Sequence, residues 1–513
     1  MNVSRFLEHW GITENPFKAE EARLDSVFAR LGDFDTAHPD FEKFVGDFSR
    51  PATSIVFGEK GSGKTAMRLQ LAGRVAAHNA ASPDSKVLLV PYDDLGPLLD
   101  RFVSRVRSAD DEDSPRGVTG KLKQLRLSDH LDGILHSAVV RVVDELIGAP
   151  GVPPSDAAVR AMRRAPARLR SDLLLLQALY DRQEELEPRA RELRRRIRGP
   201  LNTHRLLWKS LAVWGWIPAA AFAVATFVVP RDLVPTLWLL WGMYAALAVW
   251  ALLLINWFFV QRLLVIRGRA RRVSKRLRVL GSRPDEIARI FELLPPHARP
   301  AAAMPADETE ERRYTLLARL RAAIRPMGYT GLLVVVDRVD EPALVSGDPD
   351  RMRAVLWPML SNSFLQQEGV GVKLLLPVEL RHELFRESAT FFQEARLDKQ
   401  NFVERLTWTG ATLYDLCNAR LRACHRPAAD APQTISLVDL FAEDVTRQDI
   451  VDALDQMRQP RDAFKLLYAC IQEHCSNVTE DAAQWRIPRL ILETVRKLNT
   501  ERAQMVQRGY RPA

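Results

Sequence analysis

Two long stretches near the middle of the chain are apolar on every face. Residues 211–229 and 233–260 contain no charged side chain, and only Pro230, Arg231 and Asp232 separate them. At about 1.5 Å per residue the two helices would be about 28 and 42 Å long, against a hydrocarbon core of about 30 Å. Because lipid offers no partner to a free backbone group, the pattern predicts two antiparallel transmembrane helices, with Pro218 as a candidate kink. A buried helical hairpin in a soluble core is the less favoured alternative.

Short, continuous apolar runs on both sides of this hairpin are typical of buried parallel strands. They occupy residues 53–57, 86–91, 332–336 and 370–377. Helical apolar spacing occurs at 127–147 and 168–196, and from about residue 406 to the end. The expected fold is therefore α/β, with a parallel sheet flanked by helices, interrupted by the hairpin and followed by a helical lid domain.

The hairpin also divides the expected domain organisation. An N-terminal lead-in and the first part of the α/β core cover 1–150, and the second part of the core covers 331–405. The other units are a helical connector at 151–205, the hairpin at 206–262, a basic juxtamembrane segment with a helical return at 263–330, and the lid at 406–513.

The positive charge of the chain is concentrated around the hairpin. The chain carries 73 Lys and Arg against 64 Asp and Glu, a net charge of +9. Residues 189–283 contain 18 of these bases and only two acids, Glu192 and Asp232, so the remainder is net acidic. This distribution argues against nucleic acid as a partner.

The same bases predict the orientation of the hairpin. They precede the first apolar run and follow the second, whereas the connecting loop has one base, Arg231. The expected location is therefore the membrane, as a multi-pass protein with two spans and with both termini and the α/β domain in the cytoplasm. The arginines are equally consistent with contacts to anionic headgroups and with a topology signal alone. Four cysteines in 513 residues fit a reducing compartment.

A glycine-rich loop follows the first predicted strand. Its sequence matches the phosphate-binding pattern G-x-x-x-x-G-K-T and consists of Gly58, Glu59, Lys60, Gly61, Ser62, Gly63, Lys64 and Thr65. Backbone N–H groups of such a loop and the N-terminus of the following helix surround a phosphate. Lys64 is expected to contact the β- and γ-phosphates of ATP, and the Thr65 hydroxyl to bind Mg²⁺. The core is therefore expected to be a P-loop NTPase.

Three acids follow the predicted strand at 332–336. A carboxylate at the end of a buried parallel strand is suited to hold the magnesium shell, and Asp337 has that position. Asp340 or Glu341 would then orient or deprotonate the attacking water, with Glu341 favoured by a small margin. A solvated loop after a core strand is the alternative explanation for these acids.

Several arginines are candidates to contact the γ-phosphate. Arg381 follows the strand at 370–377, and Arg461 opens a helix after Pro460. The other candidates are Arg396, Arg405 and Arg420. A single surface arginine is more often solvated or paired with an acid than catalytic, and Arg461 is better placed than the rest.

The order of loop, membrane hairpin and acidic strand end resembles the KAP family of P-loop NTPases. The resemblance rests on residues 58–65, on residues 332–341 and on the two apolar runs. That family commonly reads D-D-x-D-R at the second motif, whereas Asp337-Arg338 is followed here by Asp340-Glu341, which is similar to the D-G-x-D-E of STAND NTPases. The N-terminal Asn-Pro-Phe and Pro460-Arg461 are similar to AAA+ and STAND ATPases, in which a lid arginine contacts the γ-phosphate. The resemblance implies roles in membrane-linked signalling, assembly or defence against phage.

The leading functional expectation is a membrane-anchored ATPase that uses ATP and Mg²⁺ and couples binding and hydrolysis to a conformational or assembly switch. The alternative is a nucleotide-binding membrane scaffold with little or no turnover. A transporter would need several protomers, because the two spans carry no internal charge. The expected partners are ATP, the lipid bilayer, further copies of the chain and a partner protein. GTP in place of ATP stays open, although the chain has no N-K-x-D guanine-binding motif.

Overall fold

The computed structural model describes residues 1–18, 21–31, 37–106, 115–200, 202–228, 235–256, 265–281, 283–295, 305, 309–426, 434–479 and 483–507. The elements before the hairpin are α1 (Val3–His9), α2 (Ser26–Arg30), α3 (Phe41–Val45), β1 (Ser54–Gly58), α4 (Lys64–Ala81), β2 (Lys86–Tyr92), α5 (Gly96–Arg105), α6 (Pro115–Leu122), α7 (Leu127–Ile147), α8 (Asp156–Arg164), α9 (Ala167–Tyr180) and α10 (Leu186–Arg196).

The hairpin consists of α11 (Thr203–Trp214), α12 (Ile217–Val228) and α13 (Thr236–Ile255). The elements after it are α14 (Gly268–Arg276), α15 (Pro284–Leu293), α16 (Glu310–Ile324), β3 (Tyr329–Val336), α17 (Pro349–Leu356), α18 (Asn362–Leu365), β4 (Val370–Pro377), α19 (Val378–Phe385), α20 (Ala389–Ala395), β5 (Asn401–Val403), α21 (Gly410–Cys424), α22 (Arg447–Asp455), α23 (Pro460–Asn477) and α24 (Arg489–Gln507).

The strands form one parallel sheet in the order β2-β3-β4-β1-β5. The four predicted strands are present, and the parallel sheet flanked by helices is confirmed. The short strand β5 is not predicted, because three residues are too few for a recognisable pattern. Since β4 lies between β1 and β3, the carboxyl ends of these three strands meet at one edge of the sheet.

Both faces of the sheet are covered, which explains why its strands read as continuous apolar runs. Ile55 and Phe57 of β1 face a large core shared with α5, α7, α9, α10 and α16. Val56, on the opposite face, packs into a smaller core with residues of α3 and α4. Strand alternation therefore divides one apolar segment between two helical layers.

The C-terminal helices have a core of their own, and the first residues of the chain contribute to it. Phe6 and Trp10 are buried with side chains of α21, α22 and α23. The indole Nε1 of Trp10 donates to the carbonyl oxygen of Trp485 at 2.9 Å, and the amide of Thr13 donates to the carbonyl of Cys424 at 2.9 Å. The N-terminal lead-in thus packs on the lid helices.

Two helical segments are long and apolar enough to cross a membrane. Leu206–Val228 has 23 residues and mean hydropathy 1.8, and Thr236–Ile255 has 20 residues and mean hydropathy 2.0. Only 6% and 0% of their apolar windows are buried in the protein, and α12 packs along α13. The first segment begins upstream of the predicted residue 211 and is interrupted at Gly215 and Trp216, just before Pro218. Residues 229–234 and 257–264, at the predicted connection and second exit, lie outside the described residues.

Candidate functional site

A cavity of about 450 Å³ lies at the carboxyl edge of the sheet, between the sheet and the lid helices. Its sheet side is formed by the glycine-rich loop and by the residues that follow β3 and β4. Its lid side includes the apolar residues Leu416, Pro460 and Phe464 together with Arg420 and Arg461, and Phe28 of the N-terminal region also lines the cavity. Charged groups and apolar surface therefore share one cavity.

The loop after β1 curls back on itself before α4 begins. Gly61 and Gly63 have φ values of 98° and 99°, which side chains other than glycine rarely adopt. The Nζ of Lys64 donates to the carbonyl oxygens of Gly58 at 2.7 Å and Glu59 at 2.9 Å. The loop thus holds a largely buried ammonium group at the N-terminus of α4, where the helix dipole also favours an anion.

Asp337 connects the end of β3 to the glycine-rich loop. Its carboxylate is 1% exposed, and Oδ2 accepts a hydrogen bond from the Thr65 hydroxyl at 3.4 Å, although the two residues are 272 positions apart. Arg68 approaches the same oxygen at 3.3 Å, and the Arg338 amide donates to Oδ1 at 2.9 Å. Burial raises the pKa of Asp337, and the positive charge of Arg68 opposes that shift.

Three further carboxylates line the cavity. Asp340 and Glu341 follow β3, and Glu379 lies in the first turn of α19 after β4. Burial lowers the pKa of Lys64, and the charge of Asp340 is the strongest of the opposing influences. Glu341 instead forms an ion pair with Arg338. Asp340 is thus the carboxylate whose charge acts most strongly on Lys64. The sequence instead favoured Glu341, as the acid that orients or deprotonates the attacking water.

The lid contacts the glycine-rich loop directly through side chains that the sequence did not single out together. Glu59 pairs with Arg405 and accepts a hydrogen bond from Gln459, which is 400 positions away. The indole Nε1 of Trp408 donates to the Ser62 carbonyl at 2.9 Å. No local pattern marks Trp408 or Gln459, because their roles depend on lid packing alone.

The two favoured arginines have different surroundings. Arg461 lines the cavity, and its side chain lies so close to Gly61 that an added Cβ there would be 3.0 Å from the Arg461 Cβ. Arg381 is not a lining residue; it pairs with Glu404 at 2.7 Å and lies over the Phe385 ring. The polar residue that β4 brings to the cavity is Glu379. The rule that identified Asp337, an acid just after a buried strand, also marks Glu379.

The three remaining arginine candidates each have different contacts. Arg405 is the partner of Glu59, and Arg396 ends α20 without lining the cavity. Arg420 lines the lid side of the cavity, where its Nη1 pairs with Asp25 at 2.7 Å and its Nε donates to the Pro16 carbonyl at 2.7 Å. Arg420 therefore joins the N-terminal region to α21.

No family model, curated protein or solved structure matches this chain. What the site does is therefore inferred from its geometry.

Two oxygen groups beside the glycine-rich loop are of the kind that Mg²⁺ prefers. They are the Thr65 hydroxyl and the Asp337 carboxylate, which lie 3.4 Å apart. Within the described ranges no three His, Cys, Asp or Glu residues form a metal cluster.

Proposed function

We propose that this chain is a membrane-anchored, Mg²⁺-dependent ATPase of the KAP type, in which ATP binding and hydrolysis on the cytoplasmic face drive a conformational or assembly switch. The observation that carries the proposal is the convergence of the glycine-rich loop, through Lys60, Gly61 and residues 63–65, with Asp337 and Arg461 on one cavity. Asp337 and Arg461 are far from the loop in sequence. Their position beside it therefore does not follow from the match of the loop to the G-x-x-x-x-G-K-T pattern.

In the proposed complex the triphosphate lies against the glycine-rich loop. The loop amides and Lys64 bind the β- and γ-phosphates, and Thr65 and Asp337 hold Mg²⁺, which would neutralise phosphate charge. Phe28 and Phe464 also line the cavity and are suited to the flat face of a base. A cavity with both kinds of group favours a nucleotide over free phosphate.

Hydrolysis requires a water in line with the bond that breaks. In the proposed step water oxygen bonds to the γ-phosphorus, the bond to the β–γ bridging oxygen breaks, and ADP and phosphate are formed. A carboxylate accepts the proton of the water, and Asp340, Glu341 and Glu379 are the candidates. The exposed ion pair between Glu341 and Arg338 would have to open before Glu341 could act, whereas Asp340 has no such requirement.

The hairpin supports the membrane part of the proposal. Two apolar helices that are almost unburied in the protein need a nonpolar environment, and the bilayer supplies one. The concentration of bases next to both helices, with few acids, agrees with a cytoplasmic location of the α/β core and both termini.

The test is phosphate release and ATP binding by the full chain in lipid nanodiscs. Lys64→Ala is expected to weaken binding and to lower turnover by at least about 10²-fold. Asp340→Asn, Glu341→Gln and Glu379→Gln are compared with Asp100→Asn, which changes an exposed acid of α5 away from the cavity. The variant that keeps ATP binding but loses turnover identifies the catalytic carboxylate.

The outcomes separate the two functional candidates. Turnover that requires Lys64 and one of the three acids supports the ATPase. Tight ATP binding with no phosphate release by the wild type would instead favour the nucleotide-binding scaffold. If GTP replaces ATP in both assays, the base preference changes but the mechanism does not. Absence of nucleotide binding would overturn both candidates.

A further inference from the structure

The basic segments on either side of the hairpin meet on one surface. α10 precedes the first apolar helix and α14 follows the second, and both pack against α15. Arginines from segments far apart in the chain are therefore neighbours. A topology signal needs only bases near each membrane exit, so this convergence is a separate structural fact.

Two adjoining depressions of about 640 and 380 Å³ form what we call the juxtamembrane groove. Arg289 and Glu292 of α15 line both depressions. Among the described residues, seven arginines and three acids line the groove: Arg191, Arg194, Arg195, Arg198, Arg267, Arg271, Arg289, Glu187, Glu292 and Asp285. The groove is thus a concave surface with an excess of positive charge.

Some of these arginines hold the groove together. Arg194 donates to the Leu293 carbonyl at 2.6 Å and to the Pro200 carbonyl at 2.9 Å, which ties α10 to α15 and to the chain entering α11. Arg289 pairs with Glu187 across the same helices at 3.0 Å. The walls are therefore fixed by interactions within the protein.

Three other arginines of the groove, Arg198, Arg267 and Arg271, form no ion pair with any residue that the structure describes. Arg198 has a φ of 52°, and Arg271 is exposed on α14. Arg267 and Arg271 line the depression that also contains Asp285 and Glu292, and Arg198 lines the adjoining one. The groove as a whole has more arginines than acids, so its electrostatic field favours a bound anion. Planar guanidinium groups bind phosphate oxygens in a bidentate manner, so a phosphate is the suited anion.

The position of the groove indicates the source of the phosphate. Arg198 lies shortly before α11, and Arg267 directly precedes α14 on the chain that leaves the second apolar helix. If the hairpin spans the bilayer, the groove lies at the headgroup level. Anionic lipids concentrate there, and each nearby base contributes about 1 kcal/mol of attraction.

We propose that the juxtamembrane groove binds the phosphate headgroup of an anionic phospholipid, with Arg198, Arg267 and Arg271 as its phosphate ligands. Binding joins the segment before the first span to the segment after the second and thereby fixes the α/β core relative to the membrane. The proposal requires insertion of the hairpin but not ATP hydrolysis, so it goes beyond the function proposed above.

The test uses native mass spectrometry of the full chain in detergent, with equimolar phosphatidylglycerol and phosphatidylcholine of identical acyl chains. The wild type is expected to retain phosphatidylglycerol preferentially. Arg198→Gln, Arg267→Gln and Arg271→Gln should each lower the ratio of the two bound lipids by roughly fivefold, and the triple variant should abolish the preference. The matched control neutralises three exposed bases that line neither depression of the groove, with Arg50→Gln, Lys399→Gln and Lys497→Gln.

A second measurement uses the wild type alone, so it does not depend on the folding of a variant. An excess of phosphatidylglycerol with longer acyl chains should displace the bound phosphatidylglycerol and change the mass of the complex, whereas millimolar inorganic phosphate should not. Displacement by inorganic phosphate would assign the groove to a soluble anion and overturn the lipid proposal. An equal lipid ratio in the wild type and the triple variant, or no retained lipid at all, would also overturn it.

Discussion

At the scale of the residue, Lys373 is a lysine inside the sheet. It lies on β4 opposite Ser54 of β1 and is 0% exposed. Its Nζ donates to the Ser54 hydroxyl at 2.9 Å and lies over the Phe44 ring, in the smaller core under α3. Among the described residues no carboxylate pairs with this ammonium group, and burial lowers the pKa of Lys373 to about 7.

Lys373→Met is predicted to change the pH dependence of stability. Because the folded-state pKa lies below the ordinary value of 10.5, the unfolded chain binds more protons between pH 7 and pH 10.5. The free energy of unfolding of the wild type therefore rises with pH in that window, by at most about 1.4 kcal/mol per pH unit from this group. Below pH 7 the burial penalty is present in full.

The measurement is the thermal midpoint of the full chain in detergent at pH 7 and pH 10. Lys373→Met should melt higher than the wild type at pH 7, and the difference should shrink by pH 10. Lys123→Met, which removes an exposed lysine, serves as the control. An equal difference at both pH values would show that Lys373 is charged or solvated in the folded chain.

A second residue-scale prediction compares two arginines. Arg461→Ala is expected to lower ATP turnover by roughly 10- to 10³-fold, because Arg461 lines the cavity beside Gly61 and would stabilise phosphate charge in the transition state. Arg381→Ala is the matched control, since Arg381 pairs with Glu404 outside the cavity. Phosphate release measures both, and a greater loss with Arg381→Ala would contradict the assignment.

At the scale of the element, the two apolar helices meet through a small residue. Gly242 of α13 lies against Phe222 of α12, and an added Cβ at Gly242 would be 2.7 Å from the Phe222 ring. Small residues permit such close helix packing in a bilayer, where apolar contact with lipid is equally available. The hairpin thus depends on shape complementarity more than on hydrophobicity.

Gly242→Leu is predicted to separate α12 from α13 and to destabilise the hairpin by about 1–3 kcal/mol. Gly268→Leu is the matched control, because an added Cβ at Gly268 meets nothing within 4 Å. The thermal midpoint and the protease resistance of the full chain in nanodiscs measure the effect. Equal behaviour of the two variants would mean that the packing of α12 on α13 contributes little.

At the scale of the whole molecule, one acid of the glycine-rich loop joins the sheet to the lid. Glu59 contacts Arg405, just after β5, and Gln459, just before α23. The core of the lid also includes the N-terminal residues, so loop, lid and N-terminus form one continuous contact network. A ligand that alters the loop can therefore alter lid position, if it binds the two arrangements with different affinity.

Glu59→Ala is predicted to loosen this connection without unfolding the protein. Exposed ion pairs contribute about 0–1 kcal/mol, so the thermal midpoint should change little. Hydrogen exchange in residues 58–65 and 459–464 should increase in the absence of nucleotide. Glu443→Ala, which removes an exposed lid acid paired with Arg486, should leave exchange in both segments unchanged. Unchanged exchange in Glu59→Ala would show that the other contacts, which include those of Trp408 and Arg461, are sufficient to hold the loop to the lid.

The sequence predicts the secondary-structure elements better than it predicts the contacts of individual side chains. Local patterns predicted four of the strands and the apolar helices, because period and length depend only on neighbouring residues. They did not predict β5, and they located the candidate kink of the first apolar helix at Pro218, whereas the interruption lies at Gly215 and Trp216. They also favoured Arg381 over Glu379 at the end of β4. The roles of Asp340 and Glu341 as alternative catalytic acids both stay predictions.

The sequence alone determined the loop after β1, the acid after β3 and the apolar character of the hairpin, since each is a property of a short continuous segment. Only the tertiary structure decided that Arg461 meets Gly61 and that bases from both sides of the hairpin form one groove. The physical reason is that such contacts depend on strand order and helix packing, which join residues far apart in the chain and leave no local periodicity.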